Sequence, residues 1–294
     1  MTVTVRAPAK INLVLSVGAV RGDGFHPLDT IYQAISIYDD VTVTDADEWS
    51  VDASADDVDL AGVPLDDSNI ALRAGRLLAT HHGLDRAAHV HIAKGIPVAG
   101  GMAGGSADAA ATLVALDRLW GVHTPDDELL ALAAELGSDV PFALVGGTAR
   151  GTGRGEVVTP LDDDSMLWWV VVPDADGLST PAVYREFDVA PGIGSGRPAP
   201  EWSGLDYQGV LACLRNDLQD AALRLRPELA ATRDALGAAG ADAVLLSGSG
   251  PTFLGLVPTR DAAHDVVDRL IDDGFTGIRI ATGPVAGAHV VEYV

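Results

Sequence analysis

An α+β fold, in two domains or one large one, is what this chain predicts, and three observations carry it. Strand-like segments gather at the N-terminal end and again toward the C-terminus, and helix-like segments are grouped too. The strict strand–helix alternation of a doubly wound sheet is therefore missing. The chain has 294 residues, 48% of them hydrophobic, enough to bury a sizeable core. Two glycine-rich segments, at 97–107 and 247–252, fall between predicted elements rather than inside them, as turns do.

Taken in order, residues 2–6, 11–20, 30–37 and 41–44 read as strands joined by glycine- and aspartate-rich turns. Residues 45–67 are acidic and irregular, a surface excursion with room for a short strand. A helix is expected over 69–82, with Ser68 as its N-cap. A strand at 89–93 then delivers the chain into the first glycine-rich segment, and an alanine- and leucine-rich helix follows at 107–119. The next helix, 125–136, has Thr124 placed as cap and Pro125 at its first position. Residues 166–172 form a fully apolar strand on which Trp168 and Trp169 read as core residues. The segment 190–200 is linker-like. Helices at 206–214 and 227–239, strands at 243–247 and 253–257, a helix at 261–272 and closing strands complete the chain.

Composition excludes several classes. A formal charge of −23 lacks the basic footprint that nucleic acid requires. No apolar run approaches membrane length, and no basic-then-apolar pattern opens the chain, so a cytoplasmic protein without membrane contact is expected. Cys213 is the single cysteine, which leaves no intrachain disulfide and no cysteine-based metal site. His81, His82, His89 and His91 show no metal-ligand spacing, so no zinc is expected.

The segment Pro97-Val98-Ala99-Gly100-Gly101-Met102-Ala103-Gly104-Gly105-Ser106-Ala107 is the most informative stretch. Glycine frees the backbone for positive φ and lets a ligand approach. The first N–H groups of the following helix lack partners within it and carry its positive dipole end. Together these make an anion cradle suited to a nucleotide phosphate. The overall acidity does not oppose this, because exposed charges beyond roughly 8 Å are largely screened at physiological salt. No lysine follows the last glycine, which excludes the G-x-x-x-x-G-K-[ST] loop, and the spacing fails the dinucleotide G-x-G-x-x-G pattern. Lys10 and Lys94 are the only lysines among 19 basic residues. A compact ammonium suits a tight site where arginine's planar fork does not. Lys10 lies between strand-like runs, whereas Lys94 reads as a strand-end charge.

Four segments together resemble the GHMP kinase superfamily: Ala7-Pro-Ala-Lys-Ile-Asn-Leu13, the glycine loop, Gly137-Ser-Asp-Val-Pro-Phe142 and Ser247-Gly-Ser-Gly-Pro-Thr252. The likeness runs from Ala7 to about Pro284. With Asp23-Gly-Phe-His26, it points to the branch whose alcohol acceptor carries a cytidine diphosphate. The family loop usually reads G-L-G-G-G-S-S, so Met102, Ala103 and Ala107 depart from it. Ala103 then requires a loop φ that tolerates a methyl group, and the hydroxyl missing at Ala107 cannot be essential. Phe25 replaces the family's usual tyrosine, keeping the ring and losing one hydrogen bond.

The resemblance implies a two-domain GHMP kinase fold, with an ATP-binding domain over 1–158, a substrate domain over 159–294 whose last strand can return to the first, and the active site in the cleft between them. It implies ATP as phosphoryl donor with Mg²⁺, held along Pro97 to Ala107, and Ser106 as a candidate hydroxyl contact to phosphate or metal. Asp139 takes or orients the proton of the acceptor hydroxyl, and Lys10 stabilises developing charge and keeps Asp139 ionised. His26 recognises the cytosine ring while Phe25 stacks on it. Asn12 contacts the acceptor, and Ser247, Gly248, Ser249 and Gly250 close over it. A small-molecule substrate and a monomer or weak homodimer are expected. A GHMP kinase for homoserine, mevalonate or a sugar is the rival within the fold. A catalytically silent nucleotide-binding regulator is the rival outside it, disfavoured because Lys10 and Asp139 are both present.

Overall fold

The computed structural model describes residues 1–174, 176–189 and 197–291. Its first sheet is built on two long antiparallel strands, β1 (Thr2–Val17) and β2 (Leu28–Ala46). The sequence pattern divides each of these in two, at 7–10 and at 38–40, but both run on without a break. The ladder absorbs the interruptions as register shifts between Pro8 and Ala9 and between Asn12 and Val14. Proline lacks a ladder donor and is tolerated at such a bulge, which also re-aims neighbouring side chains. The shifts bracket Lys10 and Asn12.

Further strands extend this sheet: β3 (Ser50–Ser54), β4 (Ala87–Ala93), β5 (Thr148–Thr152), β6 (Val157–Leu161), β8 (Arg215–Asn216) and β12 (His289–Val290). The main path runs β12-β1-β2-β4-β3. The far edge of β2 is shared, β5 pairing with residues 30–33 and β4 with residues 40–46. A second, antiparallel sheet has the order β11 (Arg279–Gly283), β7 (Leu167–Val172), β10 (Phe253–Val257), β9 (Ala243–Leu246). Grouped strands and grouped helices confirm the α+β class.

Helices α1 (Ile70–His81), α2 (Gly104–Trp120), α3 (Asp126–Leu136) and α4 (Val140–Val145) belong with the first sheet. Alanines on α2 bring it close to β1 and β2, and Ala107, Ala109, Ala110 and Ala111 are fully buried there. Helices α5 (Thr180–Val189), α7 (Gln219–Leu225), α8 (Leu229–Ala238) and α9 (Arg260–Asp272) cover the second sheet, while α6 (Tyr207–Cys213) packs with the first core. The two sheets meet where the Trp169 indole donates to Gln33 Oε1 at 3.1 Å and Thr282 N to Ser36 Oγ at 2.8 Å.

Two capping expectations are corrected. The N-cap of α1 is Asn69, whose Oδ1 accepts from Ala71 N at 2.8 Å, and Ser68 instead bonds to Asp66. Thr124 does not cap α3. Its N–H bonds to Asp117 and its hydroxyl to His82, while Pro125 is the cap residue with Asp126, Asp127 and Glu128 in the first turn. Those carboxylates meet the helix's positive end and do the work of a side-chain cap. Helices α4, α5 and α7 lie in segments the sequence pattern leaves unassigned. Of the linker-like stretch 190–200, residues 190–196 lie outside the described residues.

Candidate active site

The glycine-rich segment is a bent loop ahead of α2, with left-handed φ at Ala99 (56°), Gly101 (73°) and Ala103 (59°). Ala103 therefore places its methyl group in the region L-residues avoid. It is the N-cap of α2, so the N–H groups of Gly104, Gly105 and Ser106 open the helix without helical partners. Ser106 sits half-exposed in that first turn, while Ala107 is buried in the core. Residues 97–105 line a cavity of about 360 Å³, walled across the gap by 62–64 and 68–70.

Lys94, read from sequence as a strand-end charge, is instead buried beneath this loop. Its Nζ stands 2.5 Å from Asp39 Oδ2 and 2.8 Å from Asp108 Oδ2. Asp39 Oδ1 also accepts from Gly95 N and Ile96 N, while Asp108 Oδ1 has no partner among the described residues. Two carboxylates thus share one ammonium. Burial pushes Asp108 up to about 8 against the pull of Lys94. Lys94 lies directly under Gly104, so the cluster ties β2, the end of β4 and α2 into a floor for the loop.

A second cavity, of about 620 Å³, opens on the other side of the loop. Lys10 and Asn12, two residues apart on β1, share a face, and Lys10 Nζ donates to Asn12 Oδ1 at 3.1 Å. Asp139 occupies the N-cap position of α4 but makes no capping bond. Its Oδ2 instead lies 3.3 Å from Lys10 Nζ. A turn-capping aspartate is therefore not what the fold contains. Lys10 N also bonds to Met102 O at 3.0 Å, fastening β1 to the loop. The two cavities share Gly101 and Ala103 in their walls, and the Lys10–Asp139 pair lines the second of them.

The rest of the second cavity is aromatic and polar. His26 is buried, its Nδ1 2.8 Å from Gly18 O and its Nε2 3.4 Å from Asp188 Oδ1. Tyr184 lies 5.0 Å from the His26 ring. Phe25 is half-exposed at the rim, with the Arg154 guanidinium 4.9 Å over its ring. Gly248 and Ser249 close one end. Ser247 donates to Gly101 O, Ser249 pairs with Thr180 at 2.8 Å, and Asn216 holds the Leu246 and Gly248 carbonyls. Gly250 is part of the same turn, and its backbone lies against Gly101, where any side chain would collide.

The sequence reading missed Tyr184, Arg185 and Asp188 on α5, Tyr32 on β2 and Arg154. A helical period of Tyr184, Phe187 and Asp188 was present, but nothing local ties that helix to a cleft. The Asp39–Lys94–Asp108 cluster spans 69 positions and is equally invisible without the fold.

These features define a class of small-molecule phosphotransferase. The pattern of the GHMP kinases N terminal domain matches residues 69–147, and that of GHMP kinases C terminal matches residues 205–275. A Nocardioides protein named 4-diphosphocytidyl-2-C-methyl-D-erythritol kinase is 56% identical, across 98% of this chain and 99% of its own. A crystal structure of 4-(cytidine 5'-diphospho)-2C-methyl-D-erythritol kinase superposes with a TM-score of 0.78 at 32% identity, over 96% of this chain and 98% of that one. Homoserine kinase from Cytophaga hutchinsonii, at 17% identity and a TM-score of 0.72 over 99% of this chain and 97% of its own, shares the fold. The chain belongs to the 4-diphosphocytidyl-2-C-methyl-D-erythritol kinase family within the GHMP kinases.

Proposed function

We infer that this protein transfers the γ-phosphate of ATP to the 2-hydroxyl of 4-diphosphocytidyl-2-C-methyl-D-erythritol, in the non-mevalonate route to isoprenoid precursors. The observation that carries the reading is the Lys10–Asp139 pair lining the aromatic cavity, which shares Gly101 and Ala103 with the loop-lined one. ATP occupies the first, its phosphates against the N–H groups that open α2. The acceptor occupies the second, its cytosine beside His26 between the rings of Phe25 and Tyr184, and its diphosphate facing Arg154 and Arg185. Asn12 and the 247–250 turn hold the erythritol end.

In the transfer, the acceptor oxygen forms a bond to the γ-phosphorus as the bond from that phosphorus to the β–γ bridging oxygen breaks. The hydroxyl proton passes to Asp139. An ordinary carboxylate is a weak base for an alcohol, so proton transfer comes late, after bonding to phosphorus has begun. Lys10 opposes the charge on the transferring group.

Among the described residues no cluster of three or more His, Cys, Asp or Glu side chains is arranged to hold a metal ion. The Ser106 hydroxyl, half-exposed in the first turn of α2, suits Mg²⁺, a hard cation that takes few protein ligands and completes its shell with phosphate oxygens and water. Ser106 is its proposed protein contact, and the ion, when bound, supplies charge neutralisation on the β- and γ-phosphates. We propose a monomer or weak homodimer acting in the cytoplasm.

The test is ATP turnover with Mg²⁺ against the cytidyl acceptor, mevalonate and homoserine in parallel. Turnover confined to the cytidyl acceptor is the expected result. Turnover of mevalonate or homoserine instead would keep the kinase and overturn the substrate.

A further inference from the structure

One wall of the acceptor cavity brings two hydrogen-bond acceptors together. His26 Nδ1 lies 2.8 Å from Gly18 O. A carbonyl oxygen only accepts, so Nδ1 carries the ring proton, and in the neutral imidazole Nε2 keeps its lone pair. That Nε2 lies 3.4 Å from Asp188 Oδ1, beyond the range of a firm hydrogen bond. Both residues line the cavity.

The fold holds Asp188 in this place through its helix. Phe187 anchors α5 in the second core, buried, with its ring edge-on to His26 at 5.9 Å. Tyr184, one turn before Asp188 and on the same face, lies 5.0 Å from the same imidazole. Three side chains of one helix therefore address His26. Helix stability gives no reason for the carboxylate, because Asp188 sits in the last turn of α5, where a negative charge meets the negative end of the dipole. Among the described residues its one ion-pair approach is to His26.

We propose that Asp188 is a specificity-determining residue, which with His26 Nε2 accepts the exocyclic amine of cytosine and so selects a cytidyl over a uridyl acceptor. The proposal rests on the reading of this cavity as the cytidyl site. The 4-amino group of cytosine offers two protons, one for each acceptor, and a carboxylate is a regular partner for that amine. Uracil carries a carbonyl oxygen in its place. Three acceptors would then meet, one of them charged, and neither hydrogen bond could form. The rings of Phe25 and Tyr184 stack on either pyrimidine alike, so stacking does not make this distinction.

Steady-state kinetics of the whole enzyme test this, with the cytidyl acceptor and its uridyl counterpart compared for wild type, Asp188→Asn, Asp188→Ala and Asp188→Glu. Wild type is expected to prefer the cytidyl acceptor by roughly 10²-fold or more in kcat/KM. Asp188→Asn, whose amide can donate to a carbonyl oxygen, is expected to shrink that preference about tenfold or more. The cytidyl KM rises and use of the uridyl acceptor holds or improves. Asp188→Glu restores a carboxylate and is expected to keep more of the preference than Asp188→Ala. The ATP KM and Tm should stay near wild type in all three, since the Asp188 side chain is 40% exposed and lies outside the loop cavity. An unchanged ratio in Asp188→Asn and Asp188→Ala, equal losses on both acceptors, or a wild type that uses both equally would overturn the proposal and leave the kinase standing. A wild type that turns over neither acceptor would overturn the reading beneath it, and the proposal with it.

Discussion

Lys10 Nζ stands 3.3 Å from Asp139 Oδ2, and the two partners are buried unequally, with 7% of the lysine side chain exposed and 33% of the aspartate. Losing either charge is expected to slow the transfer, but the consequences for stability differ. Asp139→Asn leaves a buried ammonium with acceptors but without its counter-charge, whereas Lys10→Met leaves a carboxylate that water reaches. Both variants are expected to lose roughly 10²-fold or more in kcat. Asp139→Asn should also lower Tm more than Lys10→Met, by about 1–3 kcal/mol of stability. Steady-state assays beside thermal melts check both statements.

Gly101 holds a φ of 73° with its backbone against the Ser247 and Gly250 carbonyls. Gly101→Ala adds a methyl group that meets backbone on the opposite domain and demands a left-handed conformation. The expected cost is about 2 kcal/mol or more, with a raised ATP KM as the loop is pushed out of shape. A melt and an ATP titration of this variant decide it.

The Lys94 cluster predicts an asymmetry. Lys94→Met leaves two carboxylates buried together without their cation, and should destabilise by about 3–5 kcal/mol. Asp108→Asn keeps an acceptor for Lys94 and resembles the protonated acid, so its stability at neutral pH should stay within about 1 kcal/mol of wild type. Denaturant unfolding of the two variants measures the difference.

In the acceptor cavity, His26→Ala and Tyr184→Leu are each expected to raise the KM for the cytidyl acceptor by about tenfold or more. The ATP KM should stay unchanged, since neither residue lines the loop cavity. A parallel rise in the ATP KM would show that these residues act on the loop cavity as well.

Acid stability has a defined source in Asp29. Burial works against its charge, but the Arg150 guanidinium at 2.8 Å and the Ala199 N–H at 2.9 Å hold its carboxyl below the usual carboxylate range. A depressed folded value means the contribution is present above the unfolded value of 3.8 and is lost as pH falls through the folded one. Part of the pair faces solvent, so the amount is about 1 kcal/mol. Asp29→Asn should therefore lower stability at pH 7 and leave it less sensitive to acid below pH 4, as melts across that range would register.

Much of this was legible in the residues, for reasons that are local. Glycine spacing, helix periodicity and alternation report on backbone geometry within a few positions, which is why the loop, α2, β7 and β10 could be located. Longer features failed where the deciding contact was remote. Proline at position 8 reads as a strand break, yet β2 bridges it by shifting register. Ser68 reads as a cap, yet Asn69 holds the free N–H. Lys94 reads as a surface charge until β2 and α2 bring Asp39 and Asp108 to it.

The sequence by itself determined the fold class and, through the resemblance to the GHMP kinases, marked the glycine loop, Lys10, Asp139, His26 and Phe25 as candidates. Backbone freedom, helix-end dipoles and ionisable groups are properties of the residues and their near neighbours. Only the tertiary structure decided that Lys10 meets Asp139, that the two cavities share Gly101 and Ala103, and that Tyr32 and Tyr184 line one of them and the Lys94 cluster the other. Those are through-space relations between groups far apart in the chain, and they exist only once the two sheets have packed.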